Sequence, residues 1–380
     1  MAEWYIAGGA VRDLLTGRAV HDVDISFSGG KEFFLSCFPK ARKTGSCPEI
    51  WMSGGQEFTP LNDIAQDVFR RDFTVNAAAF DEKGRFFSHP DFFVDLEAKI
   101  LRPASPQAFF KDPLRMFRAA RFAALWPDWH LAPETVNGIR NLYASDADKV
   151  ASLAAERVGR EFMYAMSGPV PSRFFSVLLE CGGLVPWFSE CRAAADIPAG
   201  PAPWHDNSVF EHTLEVMDRC AGHPLAVWMA LCHDLGKIWT ETSVLPHHYG
   251  HEARGAEIAK KLGARLKLPS RFIRAGATGA LLHMKGGMYG SLRAGTRRDL
   301  VVRLHREGIF HDFWLVASAD GGVDWESFAS RDLAAALSVR LPKEWRSRGE
   351  ESGRKLRMMQ CEAISRLPSP VCCMAGAKKG

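Results

Sequence analysis

Two aspartates, Asp22 and Asp24, stand one residue apart downstream of Gly8-Gly9 and Arg12, in a stretch that reads YIAGGAVRDLLTGRAVHDVDISF from Tyr5 to Phe27. Alternate residues of a strand project to the same face, so two carboxylates at that spacing point together. Like charges side by side disfavour each other's ionised form. A hard divalent cation such as Mg²⁺, which takes oxygen ligands, removes that conflict. A Gly-Gly turn ahead of a helix lets backbone N–H groups approach a phosphate closely. Arg12, near the start of that helix, can reach phosphate oxygens. A lone Asp-x-Asp is common; Gly8, Gly9, Arg12, Asp13, Gly17, Asp22 and Asp24 together are restrictive. They point to chemistry on a nucleoside triphosphate.

Three further clusters bear chemistry. In DVFRRDFTVNA, Arg71 can meet a phosphate or base and Asn76 a ribose, while Asp72 or Thr74 can equally serve as a helix cap. In DPLRMFRAARF, Pro113 suits the first turn of a helix with Asp112 as its cap, and Asp112 and Arg115 are surface neighbours three apart. Read plainly, that is a cap and an ion pair. Read as a binding surface, the carboxylate accepts from an exocyclic amino group and the guanidinium donates to ring nitrogen and carbonyl, so one Asp/Arg pair can read the pairing edge of cytosine or adenine. Arg118 lies one turn further on. The fourth cluster is His212 in VFEHTLEVMD, His233-Asp234 in ALCHDLGK, then His247, His248, His251, His283 and Asp320. Histidine and aspartate suit borderline to hard divalent ions, and a bound ion can activate water against a phosphoester. Any one of these histidines alone reads as a surface residue; the CHDLGK run with His212 upstream is more specific.

These residues need elements to hold them. Residues 1–103 mix short strands and helices: Trp4–Ala7 and Asp22–Phe27 read as strands, Val11–Leu15 as a helix, and Glu49–Pro60 as a strand pair around Ser53-Gly54-Gly55. Phe73–Phe80 fits helix or strand. From Pro106 the apolar spacing turns helical, over Phe109–Leu125, Pro133–Tyr143, Ala151–Met166 and Ser172–Cys181. Residues 194–206 are rich in Ala, Pro and Gly and read as a linker, after which helical patterning resumes at Val209. The segment after Pro342 is polar and basic.

Composition sets the bounds. At 380 residues the chain is long enough for two or three compact units, and 47% hydrophobic with 24% charged residues is ordinary for a globular protein. No apolar run reaches the length of a membrane span. The chain enters a strand pattern at once, without a basic leader and apolar core. Nine irregularly spaced cysteines argue against a disulfide framework and for a reducing cytoplasm. The net charge of +4 says little; the basic clusters Arg70-Arg71, Arg115/Arg118/Arg121, Arg297-Arg298 and Lys378-Lys379 are compatible with a polyanionic partner.

On these motifs the chain resembles the class II tRNA nucleotidyltransferase and poly(A) polymerase superfamily, in the layout of bacterial CCA-adding enzymes that carry an HD domain. The resemblance spans about residues 4–330. It implies an α+β fold class: a polymerase-β-like nucleotidyltransferase head (1–104), an all-α neck and body (105–200), a helical HD domain (205–335) and a basic C-terminal tail (336–380). It implies Asp22 and Asp24 as Mg²⁺ ligands, with Glu57 a third catalytic acid on the neighbouring strand. Gly8, Gly9 and Arg12 would bind triphosphate, and Arg71, Asp72, Asn76, Asp112, Arg115, Arg118 and Arg121 the nucleotide. His212, His233, Asp234 and Asp320 would hold a divalent metal of unspecified identity. The implied partners are tRNA, CTP and ATP, with no membrane. The implied reaction is attack of the tRNA 3′-hydroxyl on the α-phosphate, with the HD domain acting as a 2′,3′-cyclic phosphodiesterase or phosphatase.

Two departures bear on the product. Lys111 stands where the superfamily usually has Glu before the templating Asp, and the Glu57–Arg70 segment is short where CCA-adding relatives carry a longer flexible loop. Relatives lacking that loop resemble CC-adding enzymes, so addition of CC alone stays open. Other readings are a poly(A) polymerase, an HD-type RNA-end repair phosphohydrolase and a non-catalytic tRNA-binding module.

Overall fold

Short runs that alternate apolar with polar residues build a seven-stranded sheet near the N-terminus. The computed structural model describes residues 3–20, 23–46, 49–201 and 207–368; Asp22, half of the expected acid pair, lies outside them. The strands are β1 (Trp4–Ala7), β2 (Asp24–Phe27), β3 (Arg42–Ser46), β4 (Glu49–Ser53), β5 (Gln56–Pro60), β6 (Ala78–Asp81) and β7 (Phe86–Ser88). Their order is β3-β4-β5-β2-β1-β6-β7. Strands β2 and β5 run parallel, Ile25 beside Phe58, and the other neighbours are antiparallel.

Alternation along each strand sends one set of side chains inward. Phe27, Trp51 and Phe58 meet Phe34 from the helix Gly30–Cys37 in one cluster. The Phe27 and Phe34 rings stack at 4.5 Å. Burial of each such ring contributes roughly 1.5–3 kcal/mol. Glu57 is one step out of phase with Phe58 and stays exposed. Gly54 (φ 59°) and Gly55 (φ 83°) close the β4–β5 hairpin with Ser53 opposite Gln56. A two-residue turn with both central φ values positive calls for glycine.

After β5 the chain takes Leu61–Asp63 into a one-turn helix, Ile64–Asp67, whose first turn is capped by the Asp63 carboxylate accepting from the Ala65 N–H at 2.9 Å. The ambiguous Phe73–Phe80 run is neither all helix nor all strand: a 3-10 turn at Thr74–Asn76 leads into β6. The expected Phe109–Leu125 helix is two helices, Ala108–Lys111 and Leu114–Leu125. Proline lacks an N–H and pushes the preceding residue out of helical geometry; Asp112 accordingly sits at φ −144°, ψ 98°.

The chain divides into two compact units, Met1–Glu161 with Ser176–Gly183, and Phe162–Phe175 with Leu184–Gly380. The second is helical. Trp228 is fully buried and donates to the Phe272 carbonyl at 2.6 Å. Gly276 stands against its indole, where a side chain would collide. The segment expected as a basic tail contains the helix Glu350–Ser365, which buries Ile364 and Gln360. Gln360 donates to the Ala336 carbonyl at 2.9 Å and accepts from Arg298, so this helix is part of the folded unit. Charged residues on its outer face hid that from a reading of composition. No helix among the described residues is long and apolar enough to cross a membrane.

Candidate functional site

The first cluster forms where β1 ends. Gly8 follows Ala7, which faces Asp24 across the β1–β2 ladder. Gly8 adopts φ 80°, ψ −137°. A Cβ built there would lie 2.5 Å from Arg71 Nη1 and 3.3 Å from Asp24 Oδ2. Glycine is required on both counts, conformation and space. The backbone at Gly8 therefore sits between an exposed carboxylate and a guanidinium. One step back from the Ile25–Phe58 pair, Asp24 and Glu57 lie side by side on two neighbouring parallel strands in the middle of the sheet. Oxygen donors so placed suit a hard divalent cation.

Gly8→Ala forces a side chain into a backbone region that costs about 1–3 kcal/mol and pushes Arg71 aside. We expect lower thermal stability, by an amount of that order; melting curves check it, and an unchanged melting temperature would refute the requirement for glycine at this position.

Beyond these strands runs a row of polar groups, buried except for the partly exposed Arg118. Arg12 is 6% exposed; it donates to Asp13 at 2.7–2.9 Å and to the Asn76 side-chain carbonyl, and its guanidinium lies 4.4 Å over the Trp126 ring. Asn76 donates in turn to Asp72 at 2.9 Å, and Asp72 accepts from Arg118 at 2.6–2.7 Å. Burial opposes charge on Asp72, but Arg118 and Asn76 outweigh it and hold its carboxyl well below the usual range. Arg118 is raised for the reciprocal reason: burial opposes its charge, and Asp72 and Glu161 overcome that. Arg121 pairs with Glu161 at 3.0 Å, and burial lowers its pKa to about 10.

Arg12 and Asn76 are buried and hydrogen-bonded to each other, and Arg121 is paired with Glu161. Asp112 and Arg115 are not joined as a pair. The Asp112 carboxylate accepts from Leu114 N–H at 3.2 Å and from Arg157 at 3.1 Å. Arg115 donates to the carbonyls of Arg70 at 2.5 Å and Ala108 at 3.2 Å. The capping part of the plain reading is present; the ion pair goes to a residue 45 positions away instead. Arg71 pairs with Asp67 at 3.0 Å.

The second cluster lies in the helical unit. His212 comes from the helix Val209–Arg219, which opens with a Ser208/Glu211 capping box. His233 ends the helix Pro224–His233, with Asp234 as its C-cap. His251 opens the helix His251–Arg265, His283 lies in Ser270–Gly287, and Asp320 in Phe310–Gly321. Gly236 makes the join possible: a Cβ there would overlap the His251 carbonyl. That close backbone approach brings His251 to Asp234.

All these groups converge. Asp234 Oδ2 is 3.3 Å from His233 Nε2 and 2.6 Å from Lys237 Nζ; its Oδ1 is 3.4 Å from His251 Nε2 and 3.5 Å from His283 Nε2. Asp320 lies 3.0 Å from His212 Nε2. The Nδ1 atoms of His233, His251 and His283 sit 2.6–2.8 Å from the carbonyls of Ala230, His248 and Ala280. A ring nitrogen facing a carbonyl must carry the proton, so the neutral rings turn their Nε2 lone pairs inward. His251 and His283 Nε2 are then only 3.1 Å apart; His212 Nε2, which faces Asp320, lies 3.4 Å from His233 Nε2. The facing lone pairs of His251 and His283 repel unless a cation or proton lies between them. The donor set fits divalent metal, in two groups that share Asp234: His212 with His233, and His251 with His283. Asp320 is held at a pKa of about 2, where burial is outweighed by its bond to His212. His251, His283 and Lys237 were not in the expected ligand set; Lys237 is the last residue of the CHDLGK run itself, while the two histidines carry no spacing signal.

Residues 4–59 match the family described as Poly A polymerase head domain, and residues 209–312 the HD domain. A multifunctional CCA protein of Azoarcus sp. (strain BH72) is 36% identical over 70% of this chain and 69% of its own length. One from Pseudomonas fluorescens is 31% identical over 95% of this chain and 97% of its own length. Among solved structures, the Thermotoga maritima CCA-adding enzyme complexed with tRNA superposes with a TM-score of 0.65 at 17% identity, over 97% of this chain and 88% of that one. The Bacillus stearothermophilus CCA-adding enzyme in complex with CTP gives 0.64 at 24% identity, over 96% and 89%. The α+β head followed by helices is the fold these enzymes share.

Proposed function

Because the chain belongs to the multifunctional CCA protein family, whose members are nucleotidyltransferases, we propose that it completes the 3′ end of tRNA by adding C, C and A from CTP and ATP. The observation that carries this reading is the Gly8 backbone held between Asp24 and Arg71. Asp24, with Asp22 and Glu57, would hold Mg²⁺, which supplies charge neutralisation at the attacked phosphate. Gly8 and Gly9 let the triphosphate approach the backbone, and Arg71 meets its charge. The 3′-hydroxyl oxygen of the tRNA bonds to the α-phosphorus as its proton passes to solvent, the bond from the α-phosphorus to the α–β bridging oxygen breaks, and pyrophosphate leaves with that oxygen. Arg118, fixed by Asp72, faces the nucleotide, and Arg12 and Asn76 keep Asp72 in place. Asp112 and Arg115 read the base after Asp112 releases Arg157; a guanidinium has five N–H groups, and the two carbonyls take two of Arg115's. Such work on tRNA belongs in the cytoplasm.

A second product, CC alone, draws on one observation: the connection from β5 to Arg70 is three residues and two short helical turns, Ile64–Asp67 and Val68–Arg70. Extension of a tRNA lacking its 3′ end, with CTP and ATP together, sized at nucleotide resolution, decides between them. We expect three nucleotides, C, C and A. A product that stops after two would overturn full CCA addition and establish the shorter one; a homopolymer would make the chain a poly(A) polymerase.

For the His/Asp cluster we propose hydrolysis of phosphate at RNA ends, including 2′,3′-cyclic phosphates. A divalent ion bound there supplies an activated water and offsets phosphate charge. Lys237, held between Asp234 and the Ala199 carbonyl at 2.8 Å, adds a positive group on the pocket wall. Water oxygen bonds to phosphorus, one ring P–O bond breaks, and the freed ribose oxygen takes the proton.

A further inference from the structure

The His/Asp pocket has a feature that metal chemistry does not use. Its cavity of about 330 Å³ is at the lower end of the range for small-ligand sites. Besides the metal-ligating groups, it is lined by Pro246, His247, Tyr249 and Met284. His247 and Tyr249 lie with their rings 6.0 Å apart and only 15° from parallel. Tyr249 is 79% exposed and Met284 40% exposed. A single exposed aromatic is ordinary. Two near-parallel rings at the mouth of a pocket that ends on Asp234 are a more specific arrangement.

The loop that carries them is pinned from the opposite side. His248, between the two rings in sequence, bonds with the Thr240 hydroxyl at 2.7 Å and donates to the Pro198 carbonyl at 2.8 Å. Two residues beyond Tyr249, His251 bears on Asp234. The rings are therefore held at a fixed offset from the centre that would meet a phosphate.

We propose that His247 and Tyr249 form a stacking platform for a nucleobase, so that this pocket takes a nucleoside phosphate and discriminates against phosphate esters of simple alcohols. The inference rests on the hydrolase reading of the cluster. Every base has a π face, so a platform of this kind binds nucleotides with little sequence preference. That tolerance suits RNA ends of varied sequence. Pro246 and Met284 add apolar surface beside the rings.

The test compares 2′,3′-cyclic AMP with glycerol 1,2-cyclic phosphate, which keeps the strained ring and lacks a base. Hydrolysis is followed with the full chain in Mg²⁺, Mn²⁺ and Ni²⁺ in turn. Tyr249→Ala raises KM for the nucleotide about tenfold, the order expected for loss of one stacking contact, with little change in kcat; Tyr249→Phe restores it. The glycerol ester, which has nothing to stack, responds to neither variant. Equal losses on both substrates, or no loss on either, would overturn the platform. Should the unaltered chain cleave neither compound, the hydrolase reading falls, and calorimetric binding then judges the platform separately. Weaker binding of 2′-AMP to Tyr249→Ala, with inorganic phosphate unaffected, keeps it; equal binding of 2′-AMP to both chains removes it.

Discussion

Asp24→Ala lowers CMP transfer to tRNA by about a thousandfold or more while the chain keeps its fold. Charge neutralisation at a transferring phosphate supplies several kcal/mol, and each 1.36 kcal/mol is a decade of rate, so losing one of its carboxylate anchors costs on the order of three decades. The stability cost is small because Asp24 is exposed at the end of β2, where its backbone still pairs with Ala7. Single-turnover incorporation of labelled CTP gives the rate, and circular dichroism reports the fold. Asp24→Asn behaves in the same way, since an amide is a poor substitute for a carboxylate on a hard cation. Residual transfer within tenfold of the unaltered chain would be incompatible with the assigned site. Hydrolysis at the His/Asp cluster is unaffected by this change.

Asp234→Asn gives the complementary result. It abolishes the cyclic-phosphate hydrolysis and metal retention proposed for the cluster, and leaves CMP transfer within about twofold on the scale where a factor of two is under 0.5 kcal/mol. Among the described residues, Asp234 is the carboxylate that reaches His233 through Oδ2 and His251 and His283 through Oδ1, and it is common to both candidate metal groups. Both changes remove one member of a buried charged set, a loss of roughly 3–5 kcal/mol; asparagine is preferable to alanine because it fills the same space and keeps a side-chain oxygen that can accept from Lys237. Elemental analysis of the purified chain, assays of both reactions and a melting curve settle the matter. Retained hydrolysis with the metal still bound would remove Asp234 from the centre; loss of both reactions with a lowered melting point would mean that it serves the fold.

The head was the more legible half because its signals are local. Strand alternation places Asp24, a Gly-Gly pair marks the turn, and both are read within one element and its neighbour. What stayed hidden depends on partners far along the chain. Glu161 is 40 residues beyond Arg121, and nothing in helical spacing announces that it holds both Arg118 and Arg121. Arg157 takes Asp112 from a separate helix, so the tidy i, i+3 partner Arg115 is left to bind carbonyls. In the helical unit, CHDLGK located Asp234 directly. His251 and His283 were visible as residues but not as members of this cluster: His251 reaches Asp234 through the close backbone approach that Gly236 allows, and His283 comes from a separate helix far along the chain. The helix at Glu350–Ser365 was missed for a different reason. Its buried positions are few, and composition alone marked the region as solvated.

The row from Arg12 through Asn76 and Asp72 to Arg118 has a consequence for how this pocket can change over time. Each member satisfies the next, and Arg12, Asn76 and Asp72 are too deeply placed for water to replace a lost neighbour, while Arg118 at the outer end is partly exposed. Alterations at its two ends are therefore epistatic: a residue tolerated at one end depends on what occupies the other. Drift at these four positions is constrained to concerted replacement, and a laboratory search for altered nucleotide preference that varies one of them at a time will mostly encounter dead chains.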